Sequence, residues 1–270
     1  MRYWRVAVIL ALALTVLSTV AVACGGGGEG SAEDRQEVED VIRAAGEAFT
    51  KGDVDTFLAA LTDKAIEGKF EATREEAREF EELSDVEVLS QFELREVSNI
   101  EVSGDTATAE DVIAFGKVLE RERVSLIKEG DVWKIDGFED LPVEVPGGVA
   151  TVDVKANEFA FGFNPNDIEN GNIAFVMENV GKQPHMLVLF RVTEEFDIEE
   201  ALQTPEGEEP EGIEEQIGGI EEEVEPGDSA NLVFTGPLDS GRYIMLCFVE
   251  DPESGKEHFE LGMHADFTVP

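Results

Sequence analysis

Apolar side chains at Val38, Val41, Ile42, Ala45, Ala48 and Phe49 recur at intervals of three and four residues, the period of one face of an α-helix. The polar triplet "KGD" interrupts this stripe, which resumes at Val54, Phe57, Leu58 and Leu61. The pattern predicts two amphipathic helices in tandem, with a third helical stretch around "REEAREFEEL". The period then falls from 3.6 to 2. "ELREVSNIEVSG", "TATAEDVIAFGKVLERERVSLIKEG" and "VWKIDGF" alternate apolar with polar positions and are separated by the turn signals "SGD" and "EGD". Helices first and a curved antiparallel sheet after them specify an α+β domain, placed at residues 33–140.

"EDLPVEVPGGVA", with Pro142, Pro146, Gly147 and Gly148, marks a linker over 141–149. Beyond it, short apolar runs separated by Gly, Pro, Asn or Asp predict an all-β sandwich over 150–270: "TVDVKANEFAF", "NIAFVMENVG", "HMLVLFRV", "SANLVFTG" and "RYIMLCFV". An insertion at 194–228 interrupts this pattern and carries no Lys or Arg. Its start, Phe196 to Leu202, predicts a short helix with Ile198, Ala201 and Leu202 turned inward. The rest, acidic and rich in Gly and Pro, is expected to be a solvated excursion. It lacks the ligand spacing of a calcium loop.

The amino terminus has a different character. Arg2 and Arg5 precede the apolar run "VAVILALALTVLSTVAVA", which ends in small residues before Cys24, as an export signal does. The tetrad "AVAC" resembles the lipobox of bacterial lipoproteins, which implies a signal peptide over 1–24 and a lipid on the Cys24 thiol. Ala21 stands where that family more often has Leu. An uncleaved transmembrane anchor is the alternative, and both readings place the rest of the chain outside the cytoplasm. "GGGGEGS" begins a flexible tether over 25–32.

Charge narrows the partners. With 61 Asp and Glu against 20 Lys and Arg the formal net charge is −41, which repels nucleic acid and anionic headgroups and attracts basic proteins and cations. Cysteine usage adds a constraint: apart from Cys24 the chain has only Cys247, so a lipid-modified protein keeps one thiol with no intramolecular partner. Burial and metal ligation are the two reasons such a thiol persists.

The segment opening with "AFTKGDVDTFLAAL" and closing with "GDVWKIDGF" resembles the ketosteroid-isomerase-like (SnoaL-like) cone fold. Isomerase chemistry there uses a general-base Asp with Tyr and protonated Asp donors. Residues 33–140 contain neither Tyr nor His, and Glu110 and Asp111 read as surface carboxylates, so no catalytic constellation is expected. A ligand pocket or a dimerisation module remains compatible with this domain.

The succession "ENVGKQPH", "EPGDSANLVFTGPLDSGRYIMLC" and "HFELGM" resembles the cupredoxin family over 150–270, a Greek-key sandwich that binds type 1 copper through two His, one Cys and a weak axial Met. Carried over by position, the resemblance implies His185, Cys247, His258 and Met263 as metal ligands. The chemistry agrees, because a thiolate, two imidazoles and a thioether suit copper in both oxidation states. Tyr243, Met245 and Cys247 alternate along one expected strand, which turns the thiol toward apolar neighbours. Two departures stand beside this. Ten residues separate Cys247 from His258, a longer loop than small electron carriers use, and Met186 follows the first histidine where that family often has Asn. His264 is expected at the surface. The resulting expectation is a membrane-tethered copper protein that passes single electrons or handles copper, with a basic redox protein as partner. A metal-free binding or scaffold lipoprotein, with Cys247 as core and His258 in a mobile loop, is the alternative.

The lipobox reading has a direct test. Cys24→Ser should leave the protein unlipidated and abolish its partitioning into detergent; membrane partitioning of an unprocessed mutant would favour the transmembrane anchor instead.

Overall fold

The computed structural model describes residues 30–168, 173–204 and 210–270. The export segment, Cys24 and most of the tether lie outside these residues. Among the described residues no helix is long and apolar enough to cross a membrane. The described residues divide into two compact units: one comprises 30–116 together with 120–141, and the other comprises 142–270 together with 117–119.

In the first unit, helix α1 (Ala32–Thr50) begins at a reciprocal cap: Ser31 Oγ accepts from the Asp34 backbone, and the Asp34 carboxylate accepts from the Ser31 backbone. Gly30 N already donates to Val102 O at 3.1 Å, so the last residues of the expected tether are folded onto the domain. The stripe predicted from the sequence is buried at Val38, Ile42, Ala45, Ala48 and Phe49. Asp53 caps α2 (Val54–Ala60), and Thr62 caps α3 (Asp63–Phe70), a helix the hydrophobic pattern did not announce. Thr73 and Glu76 form a second reciprocal cap on α4 (Arg74–Arg78), and Asp85 caps α5 (Val86–Leu89). Strands β1 (Phe92–Ser103), β2 (Thr106–Phe115), β3 (Val118–Glu129) and β4 (Val132–Asp140) follow, hydrogen-bonded in chain order. Their inward residues, among them Val102, Ala109, Val124, Leu126 and Ile135, pack with the helices in one core.

The two acidic residues of β2 have different surroundings. Glu110 lies on the outer face, held by Asn99 Nδ2 at 2.8 Å and Arg121 at 2.5 Å. The surface role expected for Asp111 does not hold, because strand alternation places it on the inner face with Ala107, Ala109 and Ile113. Asp111 is 5% exposed, and its Oδ1 has no hydrogen-bond partner among the described residues. Burial, reinforced by the Glu122 carboxylate, pushes its pKa up to about 7. Lys69, at the end of α3, pairs with buried Glu122 at 2.6 Å and sits 5.1 Å from the Phe138 ring centroid.

The second unit is a sandwich of two four-stranded sheets. One has the order β6-β5-β7-β10, from β5 (Ala150–Asn157), β6 (Ala160–Gly162), β7 (Ile173–Asn179) and β10 (Ser229–Phe234). In it β5 and β7 run parallel, and the other neighbours are antiparallel. The other is antiparallel, with the order β12-β11-β8-β9, from β8 (His185–Val192), β9 (Ile213–Val224), β11 (Gly241–Leu246) and β12 (His264–Val269). Val154, Phe175, Met177, Leu187, Leu189, Leu232, Met245 and Phe267 fill the space between the sheets. On the far side of β8, Val188, Phe190 and Val192 form a second apolar cluster with Ile244, Leu246 and Phe196.

Two expectations for the acidic insertion are corrected. Its later part is not a solvated excursion but β9, an edge strand with register shifts along β8 that buries Ile220 and Val224. A strand needs apolar residues on one face only, so its glutamates remain compatible with packing. Helix α6 (Ile198–Ala201) is present, but Leu202 is exposed, and Phe196 upstream of the helix is the buried anchor. The structure also adds β12 after Met263, which the alternation reading left unassigned.

Asp111 predicts a pH effect of unusual sign for an aspartate. Its folded pKa lies above the unfolded value, so the folded state is relatively favoured below about pH 4 and loses that advantage as pH rises toward about 7. A difference of about three pH units corresponds to roughly 4 kcal/mol. Asp111→Asn should therefore be more stable than wild type at pH 8 and differ little at pH 4 in denaturant titrations; parallel pH profiles for the two proteins would refute the effect.

Candidate metal centre

Three residues that the sequence places 62 and 11 positions apart meet at one end of the sandwich. His185 is the first residue of β8, Cys247 is the residue immediately after β11, and His258 opens a single 3-10 turn, His258–Leu261. Because β8 and β11 pair antiparallel, with Leu246 opposite Val188, the end of β11 delivers the thiol beside the start of β8. Met186 N donates to Cys247 Sγ at 3.4 Å. His185 Nδ1 lies 3.2 Å from His258 Nδ1, and Cys247 Sγ lies 3.5 Å from His258 Nδ1 and 4.0 Å from His185 Nδ1. All three residues are fully buried, and no other group of metal-capable side chains converges in this way among the described residues.

The long loop between Cys247 and His258 is pinned by backbone hydrogen bonds. His258 N donates to Val249 O at 2.8 Å, Phe259 N to Cys247 O at 2.9 Å and Asp251 N to Lys256 O at 2.8 Å, with a bridge between Glu250 and Glu257. These bonds fold the extra residues into a hairpin-like projection whose base holds the cysteine and the histidine together. Met263 is fully buried in the same core as Cys247; its N donates to His258 O and its O accepts from Cys247 N. His264 begins β12, is half-buried and does not belong to the convergent group.

The segment leading into His185 is fastened by Asn179, the last residue of β7 and itself fully buried. Its Nδ2 donates to Gln183 O at 2.8 Å and Val224 O at 2.7 Å, and its Oδ1 accepts from Gly181 N at 2.9 Å. This amide ties the segment before β8 from six positions upstream of His185. Glu158 accepts from Lys182 N and from Gln183 N, the latter at 3.1 Å. A side chain at Gly181 would displace its neighbours: a Cβ there would lie 2.7 Å from Glu158 Oε1 and 2.9 Å from His185 Nε2. Phe159, held at the positive φ of 62°, presents its ring to His258 edge-on, with centroids 5.3 Å apart. On its other edge His258 Nε2 bonds to Gln183 Oε1 at 2.9 Å.

Burial dominates the electrostatics. It pushes the pKa of His185 down to about 4, helped by the neighbouring His258, and it also lowers that of His258. The same desolvation raises the Cys247 thiol. The metal-free site therefore holds neutral imidazoles and a protonated thiol at neutral pH, so each imidazole keeps one nitrogen lone pair and only the thiol must give up a proton to bind a metal. His185 Nε2 has no hydrogen-bond partner among the described residues.

The donor set fits a soft or borderline ion. Ligands at roughly 2.0–2.3 Å from a metal in trigonal or tetrahedral array stand about 3.3–4.0 Å apart; the observed separations of 3.5 and 4.0 Å fall within that range and 3.2 Å lies just below it. Of the residues carried over by resemblance, the structure brings His185, Cys247 and His258 together and buries Met263 in the adjoining core. Sequence reasoning missed Asn179, Gln183, Asp251 and Phe159. Asn179, directly before a Val-Gly pair at a strand end, offered a turn signal; Asp251 and Phe159 offered none.

No protein-family model and no curated protein matches the chain. Solved structures do. An NTF2-like protein of unknown function from Shewanella oneidensis is 16% identical, with 40% of this chain and 98% of that one covered and a TM-score of 0.34. A cystatin-like fold protein from Burkholderia xenovorans is 17% identical, with 45% and 100% covered and a TM-score of 0.36. Dithionite-reduced auracyanin from the photosynthetic bacterium Roseiflexus castenholzii is 24% identical, with 46% and 99% covered and a TM-score of 0.29. The neighbours are thus of two kinds, NTF2-like or cystatin-like proteins and auracyanin, each matched over less than half of this chain.

Proposed function

We propose that this chain is a membrane-tethered extracytoplasmic protein whose second unit binds one copper ion for single-electron transfer or copper handling. The observation that carries the reading is the convergence of His185 Nδ1, His258 Nδ1 and Cys247 Sγ in a fully buried position. Copper bound there would supply one-electron chemistry by alternating between its two oxidation states. The protein's part is to hold the donors. Met186 N stabilises the thiolate, the paired strands and the pinned loop fix the spacing, and the apolar core around Met245 and Met263 keeps water away. Met263 would serve as a weak further ligand that tunes the site.

In this reading Cys24 carries the lipid anchor, and the −41 net charge steers a basic redox partner toward the protein. The first unit is non-catalytic and presents a surface or a pocket. Its support is the lack of Tyr and His over 33–140, which leaves buried Asp111 without the donors an isomerase site would need.

Titration of the reduced full chain with Cu(II) should give one equivalent of uptake and an intense visible absorption from the copper–thiolate bond. Copper at about a thousand times its dissociation constant should stabilise the fold by roughly 4 kcal/mol, read as a rise in melting temperature. Cys247→Ala should abolish both colour and shift, His185→Ala and His258→Ala should weaken both severely, and His264→Ala should change little. A chain that takes up no stoichiometric copper and stays colourless would make the metal-free scaffold the correct reading.

A further inference from the structure

We propose that Asp251 and Gln183 form a relay that sets the tautomer of His258, keeping its proton on Nε2 and its Nδ1 lone pair directed at Cys247 Sγ and His185 Nδ1. As a means of positioning a ligand, the relay rests on the copper reading above; as a tautomer lock it stands without any metal.

The argument runs outward from a carboxylate. Asp251 is buried, and its Oδ2 accepts from Ser254 N at 2.8 Å and Ser254 Oγ at 2.6 Å, with its Oδ1 accepting from Gln183 Nε2 at 3.0 Å. A carboxylate held by these donors is ionised and can only accept, and its pKa is lowered by the Ser254 and Gln183 bonds. The Gln183 amide must therefore turn its NH2 group toward Asp251. Its carbonyl then has one direction left, toward His258 Nε2 at 2.9 Å. A carbonyl oxygen cannot donate, so that ring nitrogen must carry the proton, and Nδ1 is left as a bare lone pair.

The other contacts of His258 agree. Its Nδ1 faces His185 Nδ1 at 3.2 Å, a pairing that requires one of the two to accept, and the relay assigns that part to His258. In the metal-free site His185 then donates from Nδ1, which leaves its buried Nε2 as an acceptor lone pair, the nitrogen without a partner; ligation through Nδ1 moves that proton to Nε2. Gln183 is itself aligned by its backbone, with its N bonded to Glu158 Oε1 and its O accepting from Asn179 Nδ2. The residues that orient His258 thus come from three places: the segment before β8, the β5–β6 turn and the projecting loop. Second partners of metal-bound histidines commonly matter 10- to 100-fold in metal affinity.

The relay makes an inverting test available. In Asp251→Asn the new side chain keeps its oxygen toward Ser254 and presents NH2 to Gln183, so the glutamine amide must turn over and offer NH2 to His258, forcing the proton to Nδ1. Adding Gln183→Glu to that variant restores an acceptor facing both the asparagine and His258 Nε2. Nitrogen-15 NMR of the metal-free full chain should show the His258 proton on Nε2 in wild type, on Nδ1 in Asp251→Asn, and again on Nε2 in the double variant. Cu(II) affinity should fall about 10- to 100-fold in the single variant and recover in the double. A proton on Nδ1 in wild type, or one unmoved by Asp251→Asn, overturns the relay. Wild type that binds copper with Asp251→Asn within twofold of it overturns the positioning role alone. The expected tautomer changes in a chain that takes up no copper overturn the copper reading and the positioning role with it, while the lock itself stands.

Discussion

Burial of an uncharged donor triad is the constraint around which the second unit is arranged. Placing two imidazoles and a thiol at zero exposure costs hydration that only internal partners can replace, and each neighbour of the triad addresses part of that deficit. Met186 N serves the sulfur, Gln183 serves one edge of His258, and the two Nδ1 atoms serve one another. The cost falls on the charged forms most of all, so the His185 pKa is pushed down to about 4, that of His258 is lowered as well, and the thiol is held protonated at neutral pH. His185 Nε2 is what the arrangement leaves unserved.

Such a site needs precision that loops alone rarely provide, and here two of the three donors sit at strand ends. Two come from neighbouring strands of one sheet, where register sets their separation. The third arrives after an excursion of ten residues, yet Val249, Cys247 and His258 are joined by backbone bonds across its base, so its length adds little freedom where it matters. Loop length was a poor guide to rigidity because the entropy of the projecting residues is decoupled from the geometry of the residues that close it.

What the sequence disclosed follows the same division between local and non-local causes. The α1 stripe, the period-2 runs of β1 to β4, and most strands of the sandwich were legible, because each rests on a repeating pattern within one segment. The convergence of His185, Cys247 and His258 was legible through resemblance, though each lies in a different part of the chain. The strand β9 was hidden by composition: its Glu-rich outer face dominated the reading, while the inward Ile220 and Val224 were too few to signal a strand beside Gly218 and Gly219. Asp111 was assigned to the surface on the abundance of carboxylates, although its alternation with Ala107, Ala109 and Ile113 already placed it on the inner face. Gln183 and Asp251 were beyond sequence reasoning, since their role exists only once a loop 68 residues away folds back on the first.

The extreme acidity of the chain and the neutrality of its buried site are compatible because the carboxylates have local work at the periphery. Asp34, Asp53, Glu76, Asp85 and Asp197 cap helix starts, where unpaired backbone N–H groups and the positive end of the helix dipole favour negative charge. Glu158 and Asp251 do the equivalent for irregular backbone around the candidate centre, accepting from the N–H groups of Lys182, Gln183 and Ser254. Their charge is thereby held one layer away from the donors, near enough to orient them and too far to bind in their place. An ion entering this site would meet a negative periphery first and neutral nitrogen and sulfur ligands last, an order that attracts cations broadly at long range and selects among them by ligand softness at contact.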